Sequence, residues 1–364
     1  MADRRDVMSG IHQFVPMLHR GDAVGRHTLR LRDLMLARGI DSRIFVELID
    51  PETEGETALA STYPGGCQPG DVLVYQLATA SDLAPWLAAR AETLVVNYHN
   101  ITPPELFAAW DNRLARHQQR ARSELHLLSA RTALGIAVSA FNRRDLEAAG
   151  YGATAVVPPA AVLPQQDRAR TADSRSAGDG SPRLGSRWLS VGRMAPNKAI
   201  EDVVMALLVA RSRYDPDTTL TIVGKPVIAS YTGALHRIVC EAGLEESVRF
   251  SGHASDADLA AAYAEADVLV VTSAHEGFGV PLIEAMSIGL PIVMSAAGAL
   301  PEVVGRAGVV TATSDPWALA GTVAELLGDG ERCRTLAAAG HAQLEALDLP
   351  TAGDRMIDLV CALT

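Results

Sequence analysis

A strand, a glycine-rich turn and a helix follow one another in the second half of the chain. Residues 267–272, DVLVVT, have the short, continuous apolar pattern of a buried strand. Gly277 and Gly279 let the backbone approach a ligand closely because they carry no Cβ. Pro281 suits the first turn of a helix, which we expect to end before Gly289. The free N–H groups and the positive dipole end of this helix predict an anion site.

Two carboxylates flank this turn. Glu276 precedes the predicted helix, Glu284 lies inside it, and seven residues separate them. Carboxylates beside a phosphate site suit a ligand that carries both phosphate and hydroxyl groups. A nucleotide sugar is such a ligand.

The whole string from Glu276 to Glu284 resembles the signature of the family-4 retaining glycosyltransferases of the GT-B fold. The alternative is a plain Rossmann βα unit with an acidic loop. The resemblance implies that Glu276 holds sugar hydroxyls and that Glu284 binds the ribose. It also implies a donor-binding loop of four consecutive residues, Gly277, Phe278, Gly279 and Val280.

Length and composition limit the class of protein. The 364 residues exceed what one core usually serves, so we expect two domains, and 48% hydrophobic residues allow each to bury a core. A net charge of −11 argues against nucleic-acid binding. The four cysteines are scattered, and the apolar stretch near the start is too short for a signal peptide or membrane span. We therefore expect a cytoplasmic protein.

Strand and helix patterns alternate along both halves, which predicts an α/β protein with parallel sheets. With the resemblance, the expected architecture is GT-B: two Rossmann-like, doubly wound parallel-sheet domains facing a cleft. We expect an acceptor-binding domain over residues 1–164 and a nucleotide-sugar domain over 184–349. Residues 165–183 read as a linker or flexible loop, and 350–364 as a helix that crosses back to the first domain. A long helix is predicted over 104–130.

Two positively charged side chains follow the first predicted strand of the second domain. Arg193 offers a planar fork for phosphate oxygens and Lys198 a point charge. The string resembles the family's diphosphate clamp, which implies that Gly192, Arg193 and Lys198 bind the donor diphosphate. Gly224 ends the next strand and resembles a position that lines the nucleotide pocket. A basic surface turn is the alternative.

The first domain supplies further candidates. Gly21 and Gly25 bracket a βα turn that resembles the family's glycine loop over the donor phosphates, although a tight turn would explain them as well. His99 stands at the carboxyl end of a predicted strand, where the family has a histidine that contacts the transferred sugar. Ser139 also ends a strand and resembles a donor-side position.

No metal or cofactor is expected. Asp256 and Asp258 mimic an Asp-x-Asp metal signature, but helix capping explains them better. A basic helix face has two interpretations: a solvated surface, which we favour, or a peripheral contact with the inner face of the membrane or with an anionic acceptor. Its members are Arg113, Arg116, Arg120 and Arg122.

The resemblance implies transfer of a hexosyl group, with retention, from a nucleotide-diphosphate sugar to an acceptor hydroxyl. The acceptor is a carbohydrate, a lipid-linked glycan or a small molecule, and cell-envelope glycan or glycolipid synthesis is the first expectation. A natural-product glycosyltransferase is the second. A nucleotide-sugar epimerase of the same fold and a non-catalytic nucleotide-sugar-binding protein stay open as further alternatives.

Overall fold

The computed structural model describes residues 10–64, 70–160, 185–311 and 315–364. The described chain divides into two compact units. The first unit contains residues within 1–104, 113–162 and 348–364, and the second contains 105–112 and 163–347. The predicted linker, residues 165–183, lies outside the described residues.

Each unit is built on one sheet whose strand pairs are all parallel, as the alternating pattern predicted. The first sheet has seven strands in the order β3-β2-β1-β4-β5-β6-β7, and the second has six in the order β10-β9-β8-β11-β12-β13. The strands are β1 Ile11–Val15, β2 Ile44–Val46, β3 Thr57–Leu59, β4 Val72–Leu77, β5 Thr93–Tyr98, β6 Thr132–Ala137, β7 Thr154–Val156, β8 Arg187–Val191, β9 Thr219–Val223, β10 Val248–Gly252, β11 Val268–Val271, β12 Ile292–Ser295 and β13 Val309–Thr311.

Helices connect the strands and follow the last of them. They are α1 Ala23–Ala37, α2 Leu83–Ala88, α3 Glu105–Ala108, α4 Asn112–Ser129, α5 Ala140–Ala148, α6 Ile200–Arg213, α7 Ala229–Glu241, α8 Asp256–Glu265, α9 Val280–Ser287, α10 Leu300–Val304, α11 Pro316–Gly328, α12 Gly330–Leu347 and α13 Leu349–Cys361. Within the described residues, no helix is long and apolar enough to cross a membrane.

Alternate side chains of the first sheet fill two cores. Leu73 and Tyr75 of β4 face one cluster, which also receives residues of α2 and α4. Val72 and Val74 face the other cluster, together with α1 and α13. Because both faces are covered, the central strands are buried along almost their whole length, and this explains their largely apolar sequences.

The C-terminal helix α13 packs against α1 of the first unit. Met356 and Ile357 are fully buried in their shared core. Gly353 sits so close to α1 that a Cβ there would lie 2.4 Å from the side chain of Leu34. On the surface, Arg38, the C-cap residue of α1, donates to the carboxylates of Asp354 and Asp358.

The single helix predicted over 104–130 is wrong. The chain forms two helices there, because the amides of Trp110 and Asp111 both bond to the carbonyl of Phe107 in a turn. Residues 105–112 group with the second unit, where the Trp110 ring meets the Tyr231 ring edge-on at 5.1 Å. The helical periodicity of the segment gave no sign of this break. The contact that stabilises the break involves Tyr231, which is distant in the sequence.

The four arginines considered for a membrane contact do not form one free basic face. Arg120 pairs with Asp82 and Glu124, and Arg122 donates to the carbonyl of Ile101. The membrane interpretation therefore gains no support from the structure.

Shortening a buried side chain of α13 should destabilise the first unit. We expect Ile357→Ala to lower its free energy of unfolding by about 2–5 kcal/mol, because it removes a fully buried side chain and leaves a cavity. Leu359→Ala on the exposed side of the same helix should cost less than about 0.5 kcal/mol. Urea unfolding followed by circular dichroism measures both, and equal effects would contradict the packing described.

Candidate functional site

The second sheet reverses its strand order between β8 and β11. These strands are neighbours in the sheet but not in the chain. In open parallel sheets, ligands bind beside such a reversal, at the carboxyl ends of the strands. The turn after β8 carries residues 192–199, and the turn after β11 carries residues 272–279. The cationic and acidic motifs of the sequence therefore lie at the same edge.

The backbones of the two turns are bonded to each other. The amide of Ala274 donates to the carbonyl of Asn197 at 2.9 Å. The Asn197 side chain donates back to the carbonyl of His275 at 3.4 Å. The hydroxyl of Thr272 donates to the carbonyl of Ala199 at 2.8 Å. This network holds the turns in register.

The Lys198 ammonium pairs with the Glu276 carboxylate across the same junction. Ser273 donates a second hydrogen bond, at 3.0 Å, to the same Glu276 oxygen. The Lys198 and Glu276 side chains are only 16% and 14% exposed, so a cation and a carboxylate are presented together in a partly dry environment. Arg193, on the same turn as Lys198, is exposed.

Two glycines make room beneath this pair. A Cβ on Gly224 would lie 1.8 Å from the carbonyl oxygen of Gly192, so the ends of β8 and β9 approach more closely than any side chain allows. A Cβ on Gly192 would lie 3.3 Å from the Lys198 side chain. Gly224 thus has a steric reason to be glycine, and Gly192 has a conformational one, because its φ of 151° is rarely adopted by residues with a side chain.

The helix α9 starts as predicted, with Gly279 at its N-cap in a left-handed conformation, φ 94°. Phe278 is buried beside it. The N-cap has no side-chain hydrogen bond, so the helix entry relies on backbone groups alone. Such an N-terminus favours an anion.

Glu284 lies inside α9 and is 4% exposed. The hydroxyl of Tyr263, itself fully buried, donates to its carboxylate at 2.7 Å. This contact fixes one oxygen of Glu284. Tyr263 was not singled out from the sequence, because an aromatic residue in an amphipathic helix is ordinarily core.

Gly298 is a further residue that the sequence analysis missed. It has φ 57°, and a Cβ there would lie 2.1 Å from the carbonyl oxygen of Glu276. The next amide, that of Ala299, donates to this same carbonyl at 2.9 Å. The loop after β12 therefore supports the backbone of Glu276, and only the tertiary structure shows it.

Asp256 and Asp258 lie at the start of α8, where the Ser255 hydroxyl accepts the amide N–H of Asp258 at 3.1 Å. The capping interpretation is confirmed. In the described parts of the chain, no three histidine, cysteine or acidic side chains cluster as metal ligands.

The first sheet reverses its order between β1 and β4. The turn after β1 carries Gly21 and Gly25, and Asp22 caps α1 by accepting the amide of Gly25 at 2.7 Å. A Cβ on Gly25 would lie 1.7 Å from the carbonyl oxygen of His19, so the turn folds back tightly on the helix start. Gly21 is exposed in the same turn.

His99 follows β5 directly and lies at the carboxyl edge of the same sheet. Its Nε2 is 2.7 Å from Oε1 of Gln76, and the His27 ring meets it edge-on at 5.1 Å. Burial lowers the pKa of His99 to about 3, so the ring is neutral at physiological pH. The next residue, Asn100, has φ 92°, a strained conformation for a residue with a side chain.

Ser139 is the N-cap of α5, and its hydroxyl accepts the amide N–H of Asn142 at 3.1 Å. This capping bond gives Ser139 a structural role. Its donor-side role stays a prediction.

A buried polar group beside His99 was also missed. Its members are Gln13, His27, Gln76 and Asn97. Three of them interrupt largely apolar strands: Gln13 in the middle of β1, and Gln76 and Asn97 next to the last residues of β4 and β5. Those interruptions were the signal available in the sequence. The structure places them on one face of three adjacent strands, where α1 covers them.

Comparisons with known proteins agree with this geometry. Residues 185–329 match the family model described as "Glycosyl transferases group 1". A curated relative from Xanthomonas oryzae pv. oryzae, GDP-mannose:cellobiosyl-diphosphopolyprenol alpha-mannosyltransferase, is 36% identical over 114 residues. That match covers 31% of this chain and 30% of the relative, so the chain spans less than a third of the relative's length in the alignment.

Solved structures match over nearly the whole chain. HepE from Anabaena, in complex with UDP and glucose, has a TM-score of 0.73 at 20% identity and covers 97% of this chain and 100% of its own. WaaG, described as a glycosyltransferase involved in lipopolysaccharide biosynthesis, has a TM-score of 0.72 at 16% identity, with 96% and 99% covered. The chain has the GT-B fold, with two parallel-sheet α/β domains, and residues 185–329 in its second half are similar to the glycosyl transferases group 1 model.

A side chain at Gly298 should disturb the Glu276 turn. We expect Gly298→Ala to lower the free energy of unfolding by about 1–3 kcal/mol, because it forces a strained φ and a clash with the Glu276 backbone. Gly328→Ala, where a Cβ meets nothing within 4 Å, is the matched control and should be neutral or stabilising. Thermal unfolding separates them, and a neutral Gly298→Ala would refute the support assigned to this loop.

Proposed function

We propose that the protein is a retaining glycosyltransferase that transfers a hexosyl group from a nucleotide-diphosphate sugar to an acceptor hydroxyl. One observation carries the proposal. The Lys198–Glu276 pair lies at the strand-order reversal of the second sheet, where the Glu276 turn leads into the partly exposed N-terminus of α9. This arrangement offers groups for a diphosphate and for a sugar side by side.

The leaving diphosphate would be bound by Arg193, Lys198 and the N-terminus of α9. In the transition state the glycosidic bond breaks and negative charge grows on the diphosphate, so preorganised positive charge lowers the barrier. Two cations and a helix dipole can provide this neutralisation, so we expect no metal or cofactor to be required. Activity that survives EDTA would support this expectation.

The sugar and ribose would be held by the two carboxylates. Glu276 accepts hydrogen bonds from sugar hydroxyls, with the amides of Phe278 to Val280 alongside. Glu284 accepts from the ribose hydroxyls, and the Tyr263 hydroxyl holds one of its carboxylate oxygens in place. His99, neutral at physiological pH, would contact the transferred sugar.

Donor and acceptor are proposed only by class. The names of the relatives mention GDP-mannose in one case and UDP with glucose in another, so a panel of UDP, GDP and ADP sugars is needed. Two names refer to a diphosphopolyprenol-linked glycan and to lipopolysaccharide, which supports a role in cell-envelope glycan or glycolipid synthesis. We propose that the reaction takes place in the cytoplasm. The anomeric configuration of the product, determined by NMR, tests retention.

Replacing Glu276 should separate transfer from nucleotide binding. We expect Glu276→Ala to lower transfer at least about 100-fold, because the sugar loses its carboxylate contact, while nucleoside diphosphate affinity changes less than about threefold. Donor turnover and calorimetry with UDP and GDP measure the two effects.

Glu345→Ala, on the exposed surface of α12, is the control and should leave both unchanged. Wild-type transfer by Glu276→Ala would remove its catalytic assignment. Tight nucleotide-sugar binding without turnover in the wild type, whatever the acceptor, would favour a binding protein. Exchange of the sugar's ring protons with solvent would favour an epimerase.

The proposed ribose contact can be isolated with deoxynucleotides. We expect 2′- and 3′-deoxy forms of the preferred nucleoside diphosphate to bind wild type about tenfold more weakly, because a hydrogen bond to a carboxylate is lost. In Glu284→Ala this penalty should disappear, and in Tyr263→Phe it should shrink. A full penalty in Glu284→Ala, measured by calorimetry, would place the ribose elsewhere.

A further inference from the structure

A chain of hydrogen bonds connects His99 to the backbone of α1. The Gln13 amide donates from Nε2 to the carbonyl of Thr28 at 2.9 Å. Gln76 donates from Nε2 to Oε1 of Gln13 at 2.8 Å. Oε1 of Gln76 is then left facing Nε2 of His99 at 2.7 Å. Gln13 and Gln76 are fully buried, so no water competes for these bonds.

The Thr28 carbonyl determines which group donates and which accepts in every hydrogen bond of this series. A backbone carbonyl can only accept, so Gln13 must present its nitrogen to Thr28 and its oxygen to Gln76. Gln76 must in turn present its oxygen to His99. An oxygen there requires a proton on Nε2 of His99, and a neutral ring carries only one proton. Nδ1 therefore holds the lone pair.

We propose that Gln13 and Gln76 are positioning residues that hold His99 in the Nε2–H tautomer, with Nδ1 as the hydrogen-bond acceptor for a substrate hydroxyl. Within the residues that the structure describes, Nδ1 of His99 has no hydrogen-bond partner. The tautomer follows from the protein alone. Its use on substrate rests on the proposed function.

The hydrogen bond between Ala160 and His27 favours the opposite donor–acceptor direction. The amide of Ala160 donates to Nδ1 of His27 at 2.8 Å, so neutral His27 carries its proton on Nε2. That proton faces Nδ2 of Asn97 at 2.7 Å, while Oδ1 of Asn97 is buried without a partner. Nδ2 of Asn97 also lies 3.2 Å from the protonated Nε2 of His99. Both mismatches are therefore confined to the Asn97 amide.

Turning the Asn97 amide over would satisfy His27 but would create a different conflict. Its oxygen would then lie 2.8 Å from Oε1 of Gln76, where its nitrogen now donates. Relieving that repulsion requires reversing both glutamines and losing the bond to Thr28. Three consecutive bonds and the Asn97–Gln76 bond favour the direction set by Thr28. Only the contacts of Asn97 Nδ2 with the His27 and His99 rings oppose it, so the Nε2–H tautomer of His99 prevails.

Nitrogen NMR reads the tautomer directly. In the full chain labelled with ¹⁵N-imidazole histidine, a long-range ¹H–¹⁵N correlation spectrum distinguishes protonated from unprotonated ring nitrogens. The His99 signals are identified by their loss in His99→Gln. We expect a protonated Nε2 and an unprotonated Nδ1 in the wild type. A protonated Nδ1 would overturn the proposal and show that the His27 anchor dominates.

Variants at Gln13 test the hydrogen-bond relay from Thr28 through Gln13 and Gln76 to His99 without changing His99 itself. Gln13→Met frees Gln76 to turn over, so the tautomer ratio should shift at least about tenfold toward Nδ1–H. Gln13→Glu should restore the wild-type pattern, because its carboxyl group accepts from Gln76 and, when protonated, donates to Thr28. Gln118→Met, at another buried glutamine on α4, should change nothing. An unshifted His99 in a folded Gln13→Met variant would refute the relay.

Kinetics separate this proposal from the proposed function. Gln13→Met should lower kcat for donor turnover about tenfold with KM nearly unchanged, because most molecules lose the hydrogen bond that Nδ1 accepts from the substrate hydroxyl. Gln13→Glu should recover the rate. If His99 has the expected tautomer but the protein turns over no donor, the proposed function is wrong and the tautomer assignment stands. Normal kcat despite a shifted tautomer would sink the role of Nδ1.

Discussion

The ion pair between Lys198 and Glu276 joins two turns that are 78 residues apart in the chain. It forms only because β8 and β11 are neighbours at the reversal of strand order, and because Gly192 and Gly224 allow the strand ends to approach. Opposite charges held together in a partly dry environment interact more strongly than they would in water. The chemistry proposed for the second unit depends on this junction.

At the strand-order reversal of the first unit, the buried side chains differ in kind from those of the second unit. There the buried side chains are neutral and polar, and they satisfy one another in a directional network around His99. Directional bonds constrain the protonation of a ring, whereas an ion pair only constrains distance. The side chains at the strand ends are thus organised by an ion pair in the second unit and by directional hydrogen bonds in the first.

Much of the architecture could be predicted from sequence because parallel strands buried on both faces leave a clear apolar pattern. The starts of α8 and α9 were predictable for local reasons, a serine cap in one and a glycine–proline pair in the other. The break between α3 and α4 was not, because it is stabilised by Tyr231, which is far away in the chain. The short edge strands β3 and β13 gave no comparable apolar signal.

The sequence by itself determined the α/β class, the glycine–carboxylate turn and the cationic turn, since each is encoded by residues close together in the chain. Tertiary structure alone decided that Lys198 pairs with Glu276, that Gly298 supports the Glu276 backbone and that Tyr263 holds Glu284. These contacts join distant segments. Their partners are chosen by strand order and helix packing, which no local pattern records.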